Sequence, residues 1–181
     1  MDHNEQHIMV DIETLGTAPG SVIVSIGAVK FGNGGIQSQF IRHIHPASCE
    51  RAGLTCDAAT ALWWLKQSED ARGALLTNQK TAVQLEQALL DFMAWLNELG
   101  DIRQRFIWGN GASFDCTVLA AAYRACHISL PWRYSGERCY RTVKALHPEV
   151  PMERQGTHHD ALDDATSQAL HLMQMLPHSA F

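Results

Sequence analysis

The sequence lacks the features that mark membrane and secreted proteins. No apolar run approaches the ~20 residues that a membrane-spanning helix needs, so no membrane association is predicted. Residues 1–7 are polar and contain no Lys or Arg, unlike the basic and apolar start of a secretory signal. We therefore expect a cytoplasmic protein whose 181 residues form one domain, 1–181, with a flexible N-terminal segment at residues 1–6.

The cysteines show no pairing pattern. The five cysteines are odd in number, and no two have Cys-x-x-Cys spacing. Structural zinc sites use closely spaced cysteine and histidine ligands, and disulfide frameworks belong to oxidising compartments. Two close histidine pairs, His43 with His45 and His158 with His159, have no matching cysteines. We predict reduced thiols and neither a disulfide framework nor a zinc site.

Positive charge is also in short supply. The 14 Lys and Arg residues face 19 Asp and Glu residues, which gives a net charge of -5. Proteins that coat long nucleic acid bind through Lys and Arg, so that class is disfavoured. An enzyme that holds a few nucleotides remains compatible, because metal ions can supply local positive charge. The basic residues of 133–154 form either a phosphate-binding rim or an ordinary solvated surface; they are Arg133, Arg138, Arg141, Lys144 and Arg154.

Hydrophobic periodicity predicts strands first and helices afterwards. Apolar and β-branched runs predict strands at 8–12, 22–31 and 36–44, and the glycine-rich turn 32–35 predicts a hairpin. Helical spacing follows at 57–66, at 81–99 with Thr81 as N-cap, at 114–126 and at 160–176. A short strand at 105–108 and a mixed segment at 133–150 lie between them. This order predicts one α/β domain with a mixed sheet covered by helices.

Two carboxylates lie at the end of the first predicted strand. Asp11 and Glu13 are two residues apart, so their side chains face the same side with Cα atoms ~6.6 Å apart. Carboxylates placed in this way repel each other unless a cation lies between them, which favours binding of Mg²⁺ or Mn²⁺. An exposed strand end with two solvated acids would show the same pattern.

A third carboxylate, Asp115, follows the loop that leaves the strand at 105–108 and begins a helix. Ligands of open α/β sheets bind at the carboxyl ends of strands, so Asp115 is a candidate to share a rim with Asp11 and Glu13. An acid in the first turn of a helix is also stabilised by the helix dipole, by ~0.3–1 kcal/mol. Asp115 is therefore either a ligand or a helix-terminal acid.

The stretch ahead of the last helix offers two equivalent pairs. His158 with Asp163 and His159 with Asp164 have the same spacing, and Asp160 shares a helix face with Asp164. A histidine beside a metal carboxylate suits a general base, because its pKa lies near neutrality. Periodicity does not choose between the pairs, and two surface histidines beside a solvated acidic turn would look the same.

In this order and these contexts, the three segments resemble the motifs of the DEDDh branch of the DnaQ-like 3′-5′ exonucleases. Residues 11–14 (Asp-Ile-Glu-Thr), 110–115 and 159–165 resemble its first, second and third motifs. That family has an alanine two residues after its histidine and commonly another after its acid, which favours His159 and Asp164. The resemblance covers nearly the whole chain. It implies a ribonuclease H-like α/β fold, with a five-stranded mixed sheet whose second strand is antiparallel and which is flanked by helices.

Segment 61–72 is similar to a small bacterial and phage subgroup of that family. The subgroup includes mycobacterial exoribonuclease-like proteins and DexA-type phage exonucleases. Some relatives prefer RNA and others DNA, so the sugar of the substrate is left open. Several short relatives are dimers, and the resemblance therefore implies a homodimer.

The resemblance also implies a role for each residue of the motifs. Asp11 would bridge two Mg²⁺ (or Mn²⁺) ions, and Glu13 and Asp164 would bind the ion on the side of the nucleophile. Asp115 would act on the second ion, largely through water. His159 would take the proton of the attacking water. The implied reaction is hydrolysis of single-stranded DNA or RNA from a free 3′ end, with release of nucleoside 5′-monophosphates.

Six further residues are predicted to contact the substrate. Thr14 and Leu15 would touch the terminal sugar and base, and Asn110 and Phe114 belong to the second motif. Trp63 and Trp64 are adjacent on a helical pattern, so both cannot face the core equally. One of them would offer a stacking surface for a base. The alternative is one core tryptophan and one half-exposed tryptophan without that role.

Two other functions stay open at this point. One is a non-catalytic module that binds nucleic acid or protein on the same fold, which the presence of all four acids disfavours. The other is a proofreading subunit held by a polymerase, which no feature of the sequence supports.

Overall fold

A mixed sheet of five strands forms the centre of the molecule. The computed structural model describes residues 5–177 and residue 180. The strands are β1 (Gln6–Thr14), β2 (Ile23–Gly32), β3 (Gly35–His43), β4 (Arg105–Gly109) and β5 (Glu137–Cys139). Their spatial order is β3-β2-β1-β4-β5, with β1 antiparallel to β2 and parallel to β4. The predicted five-stranded mixed sheet with an antiparallel second strand is confirmed.

Seven α-helices lie among the described residues. They are α1 (Pro46–Arg51), α2 (Ala58–Leu65), α3 (Glu69–Asn78), α4 (Leu85–Glu98), α5 (Asp115–Ala125), α6 (Tyr140–Leu146) and α7 (Ala161–Met175). Helices α1, α4 and α5 supply one buried cluster on the sheet, and α6 and α7 supply another. No helix in the described part of the chain is long and apolar enough to cross a membrane.

The central strand β1 is buried along all nine of its residues. Ile8 and Val10 point into the cluster beneath α4 and α5, and Met9 points into the cluster beneath α7. Because successive side chains of a strand alternate between faces, Asp11 and Glu13 follow Met9 onto the α7 face. A strand covered on both faces shows a continuous apolar run, and this one carries acids only near its carboxyl end.

Gly27 allows α7 to lie directly on the sheet beside Asp11. Gly27 is the β2 partner of Asp11. A Cβ atom added at Gly27 would lie 2.2 Å from the carbonyl carbon of Ala161 and 2.4 Å from the amide nitrogen of Leu162. The first turn of α7 therefore packs against a position that has no side chain. This close approach brings the acids of α7 towards those of β1.

Two details of the chain differ from the sequence prediction. Thr81 is not the N-cap of α4, which begins at Leu85. The Leu85 amide instead donates to the hydroxyl oxygen of Ser48 in α1, at 2.9 Å. Helices α1 and α3 were not predicted, and α1 has only six residues. A cap supplied from a distant helix leaves no local signal in the sequence.

The predicted flexible segment 1–6 is only partly covered by the structure. Residues 1–4 lie outside the described residues. Gln6 begins β1, pairs with Arg105 of β4 and is buried. The ordered strand therefore starts inside that segment, because pairing with β4 extends to its first residue.

We expect Gly27→Ala to lower the free energy of unfolding by about 1–3 kcal/mol, the usual cost of overpacking. The added methyl group would meet backbone atoms of α7, which move only if the helix shifts. Gly73→Ala in α3 is the matched control, because nothing lies within 4 Å of the added Cβ there. Urea unfolding followed by circular dichroism measures both variants. Equal stability of the two would contradict the close approach of α7 to β2.

Candidate active site

Three carboxylates from β1 and α7 form one cluster. Ligand oxygens of Asp11, Glu13 and Asp164 lie within 4.8 Å of one another. Asp164 enters the cluster from the first turn of α7. The side chain of Asp160 is used differently, because it caps this helix and accepts hydrogen bonds from the amides of Leu162 and Asp163. The i, i+4 pair of Asp160 and Asp164 is therefore not a pair of ligands.

Asp115, the first residue of α5, lines the same cavity as these three carboxylates. Its side chain is buried, and its Oδ2 atom has no hydrogen-bond partner among the described residues. Gly109 permits this placement, since a Cβ there would lie 2.7 Å from Asp115 Oδ2. A buried carboxylate oxygen without a partner is costly. A bound cation would remove that cost.

The cavity holds about 210 Å³ and is lined by all five residues of the predicted motifs together with Asn110 and Phe114. We name it the carboxylate cavity. A second cavity of about 420 Å³ adjoins it at Glu13, which lines both. Thr14, Thr60 and Trp63 line the second cavity. The cluster of acids thus has open space on two sides of Glu13.

Burial raises the pKa values of Asp11, Glu13 and Asp115, and the charges of neighbouring acids add to the effect at Asp11 and Glu13. Burial, with the neighbouring charges of Asp115 and Glu13, raises the pKa of Asp11 well above its usual range. Burial, followed by the charge of Asp164, raises the pKa of Glu13 to about 8. Burial raises the pKa of Asp115 to about 7. The cluster therefore retains protons near neutral pH unless positive charge is supplied.

The donor set fits hard divalent cations. Asp11, Glu13, Asp115 and Asp164 offer carboxylate oxygens, which Mg²⁺ and Mn²⁺ prefer. The raised pKa values and the partnerless Asp115 Oδ2 show that the chain itself neutralises the cluster only in part. The residues present therefore fit the cations that the sequence predicts.

The structure distinguishes the two acids of the third motif more clearly than its two histidines. Asp163 Oδ2 accepts a hydrogen bond from the Thr157 amide at 2.7 Å, so this carboxylate faces the preceding turn. Asp164 faces the cluster. His158, His159 and Asp164 also offer ligand atoms within 4.8 Å of one another. The placement supports Asp164 over Asp163, and proximity alone does not choose the histidine.

His159 has a constrained backbone and ring. Its φ angle is 66°, in the left-handed region, and its amide donates to Asp164 Oδ2 at 3.1 Å. Its ring contacts the rings of Trp63 and Trp64 edge-on, with centroids 4.9 and 5.9 Å away. Burial lowers the pKa of His159, so the imidazole is neutral near pH 7. His158 is exposed and stacks on His159 at 3.7 Å.

The two tryptophans of α2 have different environments. Trp64 is buried, and its indole N–H donates to the Thr14 carbonyl at 2.9 Å. Trp64 is therefore a core residue rather than an open stacking surface. Trp63 is 42% exposed and lines the second cavity. Leu15 packs against the first core cluster and lines neither cavity, so its predicted contact with the substrate has no support in its position.

Two polar contacts to the cluster were not predicted from the sequence. The Gln168 amide nitrogen donates to Asp11 Oδ1 at 2.7 Å, and Arg154 Nη1 donates to Asp164 Oδ1 at 2.7 Å. Gln168 lies four residues after Asp164 on α7, and this helical spacing is the signal that could have found it. Arg154 lies in an irregular segment, where no spacing rule applies.

The basic residues of 133–154 have separate roles. Arg141, Lys144 and Arg154 line the carboxylate cavity. Arg141 donates to the Asn110 carbonyl at 2.6 Å and so holds the loop before Asp115. The Arg138 guanidinium lies over the Phe106 ring, 4.5 Å from its centroid. These residues therefore do not form one continuous phosphate-binding rim.

Comparisons with solved structures give the fold. The nuclease domain of 3′hExo, a DEDDh family member bound to rAMP, is 15% identical with a TM-score of 0.65, over 94% of this chain and 91% of that chain. Cell-death related nuclease 4 (CRN-4) is 16% identical with a TM-score of 0.63, over 94% and 63%. A 3′-exonuclease described by its 3′-end specific recognition of histone mRNA stem-loop is 13% identical with a TM-score of 0.63, over 94% and 81%. These likenesses confirm the ribonuclease H-like fold.

A match to a family model shows the family to which the chain belongs. No curated protein sequence matches the chain. A family model described as the 3′-5′ exoribonuclease Rv2179c-like domain matches residues 6–176, which is nearly the whole chain. The chain therefore belongs to the Rv2179c-like family of 3′-5′ exoribonuclease domains and is a 3′-5′ exonuclease.

Proposed function

We propose that this exonuclease uses two divalent cations and a histidine base to release nucleoside 5′-monophosphates from single-stranded 3′ ends. The observation that carries this proposal is the arrangement of the acids. Asp11, Glu13 and Asp164 meet within 4.8 Å, and the buried Asp115 has a partnerless oxygen on the same cavity. Gathering four acids in this way costs electrostatic free energy, and a purely structural role does not explain that cost.

The four acids would hold two Mg²⁺ or Mn²⁺ ions. Asp11 is central, because its charge interacts with those of Asp115, Glu13 and Asp164. When bound, the cations supply positive charge for the attacking and leaving oxygens of the phosphodiester. Gln168 holds Asp11 Oδ1 through its amide and so fixes the orientation of this carboxylate. Partners of this kind commonly orient metal ligands.

His159 would accept a proton from the attacking water. Its imidazole is neutral near pH 7, because burial lowers its pKa. The left-handed backbone and the hydrogen bond to Asp164 fix the ring beside the cluster. Strained backbone at such a position is typical of functional residues. His158 lacks this enclosure, because it is exposed.

The second cavity would hold the 3′-terminal nucleotide. Trp63 offers its partly exposed ring there, and Thr14 lines the same wall. Stacking of a base on an aromatic ring contributes about 1–3 kcal/mol. Asn110 and Phe114 line the carboxylate cavity and would contact the neighbouring part of the strand. We propose RNA as the preferred substrate, since the matching family is described as exoribonucleases. The homodimer and the cytoplasmic location stay predictions.

Digestion of end-labelled strands tests the proposed function. Single-stranded RNA, single-stranded DNA and a duplex with a 3′ overhang are labelled at the 5′ end and incubated with Mg²⁺, Mn²⁺ or EDTA. We expect progressive shortening of RNA from its 3′ end, release of 5′-monophosphates, and no reaction in EDTA or with Asp11→Asn. Asp70→Asn, an exposed acid of α3, is the matched control and should keep full activity. Absence of cleavage on every substrate with either cation would refute the proposal.

The two adjacent histidines give a second prediction. His159→Ala should lower turnover by roughly 10²–10⁴-fold, the usual contribution of a general base. It should leave the Mn²⁺-dependent increase of the melting temperature intact, since the acids remain. His158→Ala should change turnover little, because this residue is exposed. If the two variants behaved the other way round, His158 would be the base.

The raised pKa values predict a pH-dependent stability. The pKa of Glu13 rises from 4.5 to about 8, and that of Asp115 from 3.8 to about 7. Below about pH 4 these groups are protonated in both the folded and the unfolded protein. As the pH rises, the unfolded chain releases protons that the folded protein keeps. We therefore expect these acids to destabilise the cation-free protein progressively between about pH 4 and pH 8.

Urea unfolding in EDTA across this interval measures the effect. The free energy of unfolding of the wild type should fall with pH relative to Asp11→Asn, which removes an acid whose own pKa is raised well above its usual range. Mn²⁺ should restore stability at pH 8 in the wild type but not in Asp11→Asn. Parallel pH profiles for the two proteins in EDTA would show that the pKa of Asp11 is not raised by its buried, acidic surroundings.

A further inference from the structure

Arg154 forms an ion pair with a proposed cation ligand. Its Nη1 atom lies 2.7 Å from Asp164 Oδ1, and the other oxygen of Asp164 accepts the His159 amide at 3.1 Å. Among the described residues, no other Lys or Arg forms an ion pair with Asp11, Glu13, Asp115 or Asp164. Among the described residues, Arg154 is thus the one Lys or Arg in ion-pair contact with the cluster, whereas Arg141 acts on Asp115 through its charge without such a contact.

The guanidinium and a divalent cation would compete for the same carboxylate. Asp164 belongs to the group whose oxygens lie within 4.8 Å of Asp11 and Glu13. A guanidinium hydrogen-bonded to Asp164 and a cation bound in that group would repel each other at short range, where a buried site screens charge poorly. Binding of the cation therefore favours departure of the Arg154 side chain.

The side chain of Arg154 can move while its backbone stays. It is 45% exposed. The neighbouring backbone is held on both sides. The Gln155 amide donates to Ser167 Oγ at 2.8 Å, and the Val150 carbonyl lies 2.9 Å from His171 Nε2. Released from Asp164, the guanidinium stays at the rim of the carboxylate cavity, which Arg154 lines.

A phosphate is the natural second partner of this guanidinium. Arginine presents a planar fork of donors that matches phosphate oxygens. Arg141, the other arginine of the cavity, is already engaged with the Asn110 carbonyl. A phosphodiester bound at the acids would bring its negative charge to the cavity that Arg154 lines. Its oxygens would then replace those of Asp164 as acceptors.

We propose that Arg154 exchanges partners during the reaction cycle. It holds Asp164 in the cation-free protein, leaves when cations bind, and then binds a phosphate oxygen of the substrate. This inference rests on the proposed two-cation function. It makes cation and nucleotide binding cooperative, because each ligand favours the arrangement of Arg154 that the other needs.

Removal of the guanidinium should therefore change two affinities in opposite directions. In Arg154→Gln, the Mn²⁺ affinity without nucleotide should increase by about 5-fold or more, and the affinity for 5′-AMP with saturating Mn²⁺ should decrease by at least that factor, as for ordinary coupling between sites. Isothermal titration calorimetry measures both, and the melting temperature in EDTA shows that the variant is folded. Arg154→Lys, which keeps the charge without the fork, should retain the wild-type Mn²⁺ affinity and lose AMP affinity.

Lys144→Gln is the matched control. Lys144 lines the same cavity and forms no ion pair within the described residues, so this variant removes an equal charge without breaking a contact. Its Mn²⁺ affinity should stay within 2-fold of the wild type, well below the range of specific coupling. Unchanged or weaker Mn²⁺ binding in Arg154→Gln, unchanged AMP binding, or an equal effect of Lys144→Gln would overturn the exchange. Wild-type digestion of RNA, run in parallel, tests the proposed function separately.

Discussion

Electrostatic repulsion among buried carboxylates is the constraint on which the rest of the structure depends. Asp11, Glu13 and Asp164 approach within 4.8 Å in a setting that removes most of their hydration. Burial beside other carboxylates favours the protonated, neutral form of each acid. The pKa of Glu13 accordingly rises to about 8. The fold has to tolerate this cost in the absence of cations. It does so through a rigid surround, one hydrogen bond from Gln168 and one ion pair from Arg154.

The rigid surround comes from the centre of the sheet. Strand β1 is buried along its whole length, and its backbone pairs with β2 from His7 to Thr14 and with β4 from Gln6 to Val10. Gly27 of β2 and Gly109 of β4, the strands on either side of β1, let α7 and Asp115 lie close against the sheet. The apolar clusters on the two faces of the sheet thus fix the positions of the acids. Because the acids repel one another, they favour binding of cations. A cation-binding site at this position agrees with membership of the exonuclease family.

Local signals in the sequence were sufficient for the first three strands and for the candidate acids, whereas the five-stranded sheet was implied by the resemblance to the exonuclease family. The hairpin at 32–35, the two-residue spacing of Asp11 and Glu13, and the helices that carry Asp115 and Asp164 near their starts depend only on neighbours along the chain. Contacts between distant residues gave no such signal. The cap of α4 comes from Ser48, and Trp64 is buried because its indole reaches the Thr14 carbonyl. Arg154 acquires its role only when the segment before α7 meets the cluster, whereas the helical spacing from Asp164 is a signal for Gln168.

The most direct test of the account is to locate bound cations. Crystals grown with Mn²⁺ and 5′-AMP, measured at a wavelength where manganese scatters anomalously, would show each ion as a separate peak. Two peaks are expected in the carboxylate cavity, with Asp11 contacting both and Asp115 beside one of them. Absence of manganese among Asp11, Glu13, Asp115 and Asp164, or a single ion held elsewhere, would contradict it.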